Sequence, residues 1–312
     1  ENGLTTVDDA GLDKKTIQII DSLQQIGDLN IRVYAMISNT SDNLSYFLDK
    51  GIIEKEKLTV RSVKAYLDGA LGSRGALLKK PYSDDNKNKG ITITTKEDLF
   101  ELAEKLSSKG FQLNTHAIGD KANEIVLDVY NYILKGEEDP RWRIEHAQVI
   151  DEFDMQKFNS KIIPSVQPTH ATSDMNWADE RLGLDRLKKA YAYKDLLDWS
   201  GKIALGTDFP VEKVNPLYTF YSAVARKDVD GNPSKGFLKE NALTRVEALK
   251  GMTIWAAYSN FEDFSKGSIE IGKYADFVIL TNDIMTVPEE QIKNVGVVAT
   301  IVNGSIVFQK IN

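Results

Sequence analysis

Seven short β-type runs recur along this chain, near residues 3, 30, 61, 111, 142, 161 and 202, and most are separated by segments with helical periodicity. Ile17, Ile20 and Leu23 recur at helical spacing ahead of Gly27, and Leu99, Leu102, Ala103 and Leu106 trace one face between Thr95 and Gly110. Thr95 with Asp98, and Thr244 with Glu247, have the spacing of a capping box at a helix start. Strands that alternate with helices build βαβ units and a parallel sheet. The expected fold class is therefore α/β, a (β/α)8 TIM-type barrel. Seven strands are one short of closure. Either one strand escapes the pattern or the first precedes Glu1.

The character changes after about residue 264. "KGSIEIGKYADFVIL" and "VVATIVNGSIVFQ" are β-type, and Asn303-Gly304 between alternating apolar residues signals a hairpin. The expectation is a barrel over 1–264 and a small β-sandwich module over 265–312. The most polar loops, 83–90 and 227–236, read as mobile surface connections or lids.

Composition narrows the function classes. With 42% hydrophobic and 27% charged residues in 312, the chain can bury a substantial core. A net charge of -7 argues against nucleic acid as a partner. No apolar run reaches the length of a membrane span, and the first residues lack the pattern of a signal peptide. The chain does not begin with Met, so the natural N-terminus is expected upstream. Zero cysteine excludes disulfides, thiolate ligands and a cysteine nucleophile. It leaves the compartment open, with the cytoplasm favoured. Any metal must be held by His, carboxylates or something rarer.

The chemistry-bearing residues cluster at the ends of the β-type runs. His116 closes "FQLNTH", His146 closes "RWRIEH" and Asp208 closes "KIALGTD". In a parallel barrel such ends converge on one face, where barrel enzymes do their chemistry. Neutral imidazole and carboxylate together suit a divalent cation, with zinc the leading choice. Lys64 is mid-strand between Val63 and Ala65. A lysine pointing into a barrel is costly unless paired or converted, for example to a carbamate by carbon dioxide. From the residues alone a snorkelling or ion-paired lysine is the better reading. Arg74 is placed to grip an anionic group, or simply to face solvent. His170, after the sixth run, either faces the pocket or belongs to its loop. Tyr34 and Trp177 line a pocket or pack. No Gly-x-Ser-x-Gly and no phosphate loop are present.

These segments together resemble the YtcJ-like branch of the amidohydrolase superfamily, which includes N-substituted formamide deformylases. The resemblance rests on "GLTTVDDAG", "VKAYLDGALGSRGA", "FQLNTHAIGDKAN", "RWRIEHAQ", "PSVQPTHATSDMNWADERLG", "ALGTDFPVE" and "KGSIEIGKYADFVIL" in that order. It implies a barrel with strands two to eight present and strand one missing. It also implies a β-sandwich built from both termini, and one or two divalent metals. His116 and His146 look like the ligands of strands five and six, Asp208 like the strand-eight ligand and proton shuttle, and Lys64 like the lysine carbamylated in two-metal members. The His-x-His that the superfamily carries at strand one is nowhere in this sequence. The expectation is a C-terminal part of a longer protein that holds at most one metal and is impaired by itself. Its open barrel edges are expected to favour aggregation or a homodimer. For the intact protein the expected reaction is hydrolysis of an amide, formamide or other non-peptide C–N bond in a small molecule. A superfamily deaminase, or a non-catalytic relative that binds a ligand or partner, are the alternatives.

Overall fold

The computed structural model describes residues 1–310. Its main sheet contains β1 (Thr6–Leu12), β2 (Arg32–Ser38), β3 (Ile53–Glu54), β4 (Leu58–Tyr66), β5 (Gln112–Ala117), β6 (Trp142–His146), β7 (Ile162–Val166) and β8 (Ala204–Leu205). Seven of these pair in parallel in the order β1-β2-β4-β5-β6-β7-β8, while the short β3 lies antiparallel on β4. Among the described residues β1 and β8 do not pair, so the barrel is open along one seam. The expected strand count, parallel order and missing partner are all found.

Local chemistry explains the helices between the strands. Asp13 accepts the Thr16 N–H at the start of the helix Lys14–Ile26, and Gly27 ends it in the left-handed conformation (φ 84°). Thr95 accepts the Asp98 N–H ahead of Lys96–Ser107, whose buried face is Leu99, Leu102, Ala103 and Leu106. Each of the three leucines contributes roughly 1.5–3 kcal/mol on full burial. Thr244 and Glu247 form both arms of a capping box at Arg245–Met252.

Alternation along the strands sorts the side chains into two environments. Val33, Ala35, Ile37, Val63, Ala65, Leu113, Ala117, Trp142, Ile144, Ile162 and Val166 join one apolar core. Their neighbours point the other way, into the lumen, and many are polar: Ser62, Lys64, Gln112, Asn114, Arg143, Glu145 and Ser165, all buried. Tyr34 packs there too, its hydroxyl donating to Gln112 Oε1 (2.9 Å). Arg143 organises this interior, donating to Glu145 (2.7 Å), Asp8 (2.5 Å), Asn260 (3.0 Å) and Ser165 (3.1 Å). A buried guanidinium is tolerated because each arm finds an acceptor.

The expected β module appears as one antiparallel sheet of β9 (Phe277–Leu280), β10 (Val297–Val302) and β11 (Ser305–Gln309), in the order β11-β10-β9. Asn303 (φ 51°) and Gly304 (φ 77°) turn the β10–β11 hairpin. Residues 311–312 of that expected module lie outside the described residues. A cleft of about 730 Å³ runs between β1, β9 and the helices after β8, with Thr6, Leu217, Met252, Val278 and Ile284 among its walls. Among the described residues no helix is long and apolar enough to cross a membrane.

Candidate metal centre

Parallel pairing sets the site. Tyr66 is level with His116, and Ala117 with His146, so β4, β5 and β6 end side by side. The His116 and His146 rings lie 4.5 Å apart at 70°, and the His146 and His170 rings 5.8 Å apart, nearly parallel. The expected meeting of the two strand-end histidines is therefore present. His170 Nε2 lies 3.6 Å from Asp208 Oδ2.

Beside the expected ligands stands a candidate group that also takes in His170. Among the described residues, His146, His170 and Asp208 have ligand atoms that all lie within 4.8 Å of one another. His170, whose place was open between pocket and loop, thus lies beside His146 and Asp208. It is carried in by the helix Pro168–Asp174, which starts directly after β7. His116 adjoins His146, its Nε2 3.5 Å from Asp68 Oδ1. His116 Nε2 and His170 Nε2 are buried and have no hydrogen-bond partner among the described residues.

Burial governs the protonation of these groups. It pushes His116 and His170 down to about 4, with Lys64 adding to the effect at His116. His146 is driven well below its ordinary value by burial, then by His116 and Lys64. All three imidazoles are therefore neutral near pH 7, the form that ligates a metal. Asp208 is raised by burial, against the pull of Lys64. Lys64 is 5% exposed, and burial lowers it, opposed by Glu145 and Asp208. The lumen alternation that aims Lys64 inward is the geometry expected from its flanking Val63 and Ala65.

Backbone strain collects at the same place. His146 (φ 74°) and Asp208 (φ 57°) both adopt the left-handed conformation, uncommon for residues other than glycine.

Asp68 and Gln167 were not singled out in the sequence, yet both touch the centre. Asp68 is fully buried and accepts the backbone N–H groups of Leu77, Ile118 and Gly119. Burial outweighs those donors and pushes its carboxyl up to about 7. Gln167 Oε1 meets His146 Nδ1 at 2.7 Å. The only prior hints were an Asp-Gly turn after β4 and a polar residue before Pro168.

Arg74 is paired with Asp84 through two hydrogen bonds (3.1 and 2.8 Å), so its guanidinium is engaged by a loop carboxylate. Arg181 also reaches Asp84, and Arg186 donates to Lys80 O (3.0 Å) and Ser83 Oγ (3.0 Å). The loop around 83–90, expected to be mobile, is thus tied to the helix Ala178–Leu187. Trp177 packs over Gly72, where an added Cβ would lie 3.2 Å from the indole.

The profile of the Amidohydrolase family matches residues 1–308. Over 251 residues the chain is 36% identical to LONG AFTER FAR-RED 3 of Arabidopsis thaliana, covering 79% of this chain and 43% of that protein. It is 37% identical over 255 residues to the YtcJ protein of Bacillus subtilis, covering 80% of this chain and 47% of the relative. An uncharacterized metal-dependent hydrolase from Pyrococcus horikoshii superposes with a TM-score of 0.80 at 32% identity, covering 92% of this chain and 58% of that structure. The chain spans about half the length of the curated relatives it matches.

Proposed function

This chain belongs to the amidohydrolase family, and on that premise we propose that it serves the metal-dependent hydrolysis of an amide, formamide or other non-peptide C–N bond in a small molecule. The observation that carries the reading is the convergence of His146, His170 and Asp208 at the C-terminal ends of the strands. N-substituted formamide deformylase of Arthrobacter pascens, 24% identical over 323 residues, is a more distant relative whose name states such a reaction.

The residues fit a divalent cation. Two neutral imidazoles and a carboxylate form an N,N,O donor set of the kind zinc accepts, and His170 Nε2 is buried without another partner. His146, His170 and Asp208 would hold the ion, with His116 and Lys64 beside them. Bound there, a divalent cation polarises a carbonyl and lowers the pKa of water towards about 7.

The chain's own groups supply the proton traffic. Asp208 Oδ2 takes one proton as water oxygen bonds to the carbonyl carbon, and passes it to the nitrogen as the C–N bond breaks. The water's second hydrogen stays with the new carboxyl group. Burial raises the Asp208 carboxyl, which suits it to both halves of this transfer. Burial lowers Lys64 and so favours its neutral amine, which can add carbon dioxide at Nζ, releasing one proton and leaving an anionic carbamate.

Calorimetric zinc titration of the chain tests the reading. The expected result is one tight site, lost in His146→Ala and His170→Ala. Absence of zinc binding, with the fold intact by circular dichroism, would refute it. Turnover of a formamide panel by the full-length protein should yield carboxylate and amine. Ammonia as the product would favour the deaminase reading.

A further inference from the structure

We propose that Gln167 is a positioning residue that fixes the tautomer of His146 and so decides which ring nitrogen faces the centre. The inference rests on the proposed metal site only for its consequence, not for its geometry. Gln167 is buried, and its side-chain amide has two neighbours. Nε2 donates to the Ser165 carbonyl oxygen (3.4 Å), and Oε1 lies 2.7 Å from His146 Nδ1. A carbonyl oxygen only accepts, so Ser165 holds the NH2 end of the amide and turns Oε1 towards the imidazole. An amide oxygen also only accepts. The hydrogen of the contact must therefore sit on His146 Nδ1. In a neutral imidazole that leaves Nε2 with the lone pair.

The backbone of Gln167 works on the other side of the centre. Its carbonyl accepts the His170 N–H (3.0 Å) and the hydroxyl of the buried Tyr193 (3.0 Å). One residue thus orients the His146 ring through its side chain and anchors the turn that carries His170 through its main chain. Gln167 immediately precedes Pro168, whose ring excludes an N–H at the first helical position, so the segment enters its helix in one way. Acceptors on the far nitrogen of a ligating histidine typically change metal affinity by roughly ten- to a hundredfold.

The test reads the tautomer directly in the metal-free chain by nitrogen-15 NMR of the imidazole side chains. There are three histidines, so His116→Asn and His170→Asn variants assign the His146 signals. The expected state is hydrogen on Nδ1 in the native chain. Gln167→Glu, which retains an acceptor, keeps that state, whereas Gln167→Met, similar in size without an acceptor, gives a mixture. Zinc affinity should follow, falling roughly tenfold or more in Gln167→Met and recovering in Gln167→Glu. Hydrogen on Nε2 in the native chain would overturn the proposal whether or not any variant folds. So would an unchanged tautomer in folded Gln167→Met. If the native chain binds no zinc, the proposed function fails while the tautomer spectrum still decides this inference.

Discussion

At the scale of single residues, the centre is built from groups forced into states they do not adopt in water. His170 is the clearest case, because burial alone drives it down to about 4. The unfolded chain binds that proton near the ordinary value of 6.5, the folded chain only near 4. Between those values the unfolded state carries more protons, so stability falls as the pH is lowered. In His170→Asn the metal-free chain should lose that slope, by up to about 1.4 kcal/mol per pH unit. Urea titrations at pH 7, 6 and 5 measure it, and parallel pH profiles for the two proteins would contradict the assignment. Asp208 at φ 57° is strained as well as half-desolvated. Asp208→Gly should stabilise the fold by up to about 1 kcal/mol, seen as a higher urea midpoint, while removing hydrolysis in the full-length protein. His116, His146 and Asp208 drew notice in the sequence because each ends a β-type run, whereas His170, in the segment after such a run, stayed open between pocket and loop. Asp68 and Gln167 drew no notice, because their roles depend on distant groups. Asp68 reaches backbone N–H groups 50 and 51 residues away, and Gln167 an imidazole 21 residues away.

At the scale of elements, helix starts were the most readable features. Cap chemistry is local, so Thr95, Thr244 and Glu247 announced themselves by spacing alone. Thr244→Ala should cost about 1 kcal/mol, seen as a lower urea midpoint with an unchanged slope, because the hydroxyl that accepts the Glu247 N–H is lost while the backbone arm to Glu247 stays. No change would mean that packing alone holds that helix. Strand ends were less readable. The run over 202–208 keeps only Ala204–Leu205 in the ladder, since the chain must leave it to reach the left-handed turn at Asp208. The polar segment 83–90 reads as mobile, yet it is fastened by Asp84 to Arg74 and Arg181. Charge in a loop does not tell whether its partner is water or another element.

At the scale of the whole molecule, the parallel order followed from the alternation of strand and helix, and so did the open seam. What stayed hidden was the polar lumen, because Arg143 and Glu145 carry no local mark of pointing inward rather than out. The seam should govern local stability. Backbone amides of β1, flanked by a strand on one side only, should exchange with deuterium faster than those of β5 and β6. Equal protection across the three strands would mean that the edge is covered in solution. One further consequence follows from Arg143. Its guanidinium grips Asp8 on the strand bordering the seam and Glu145, the neighbour of His146 along the backbone. A displacement of that border strand therefore pulls on the residue next to the imidazole. Pressure on the flank of this half-closed cylinder would therefore be felt at its mouth through a single guanidinium.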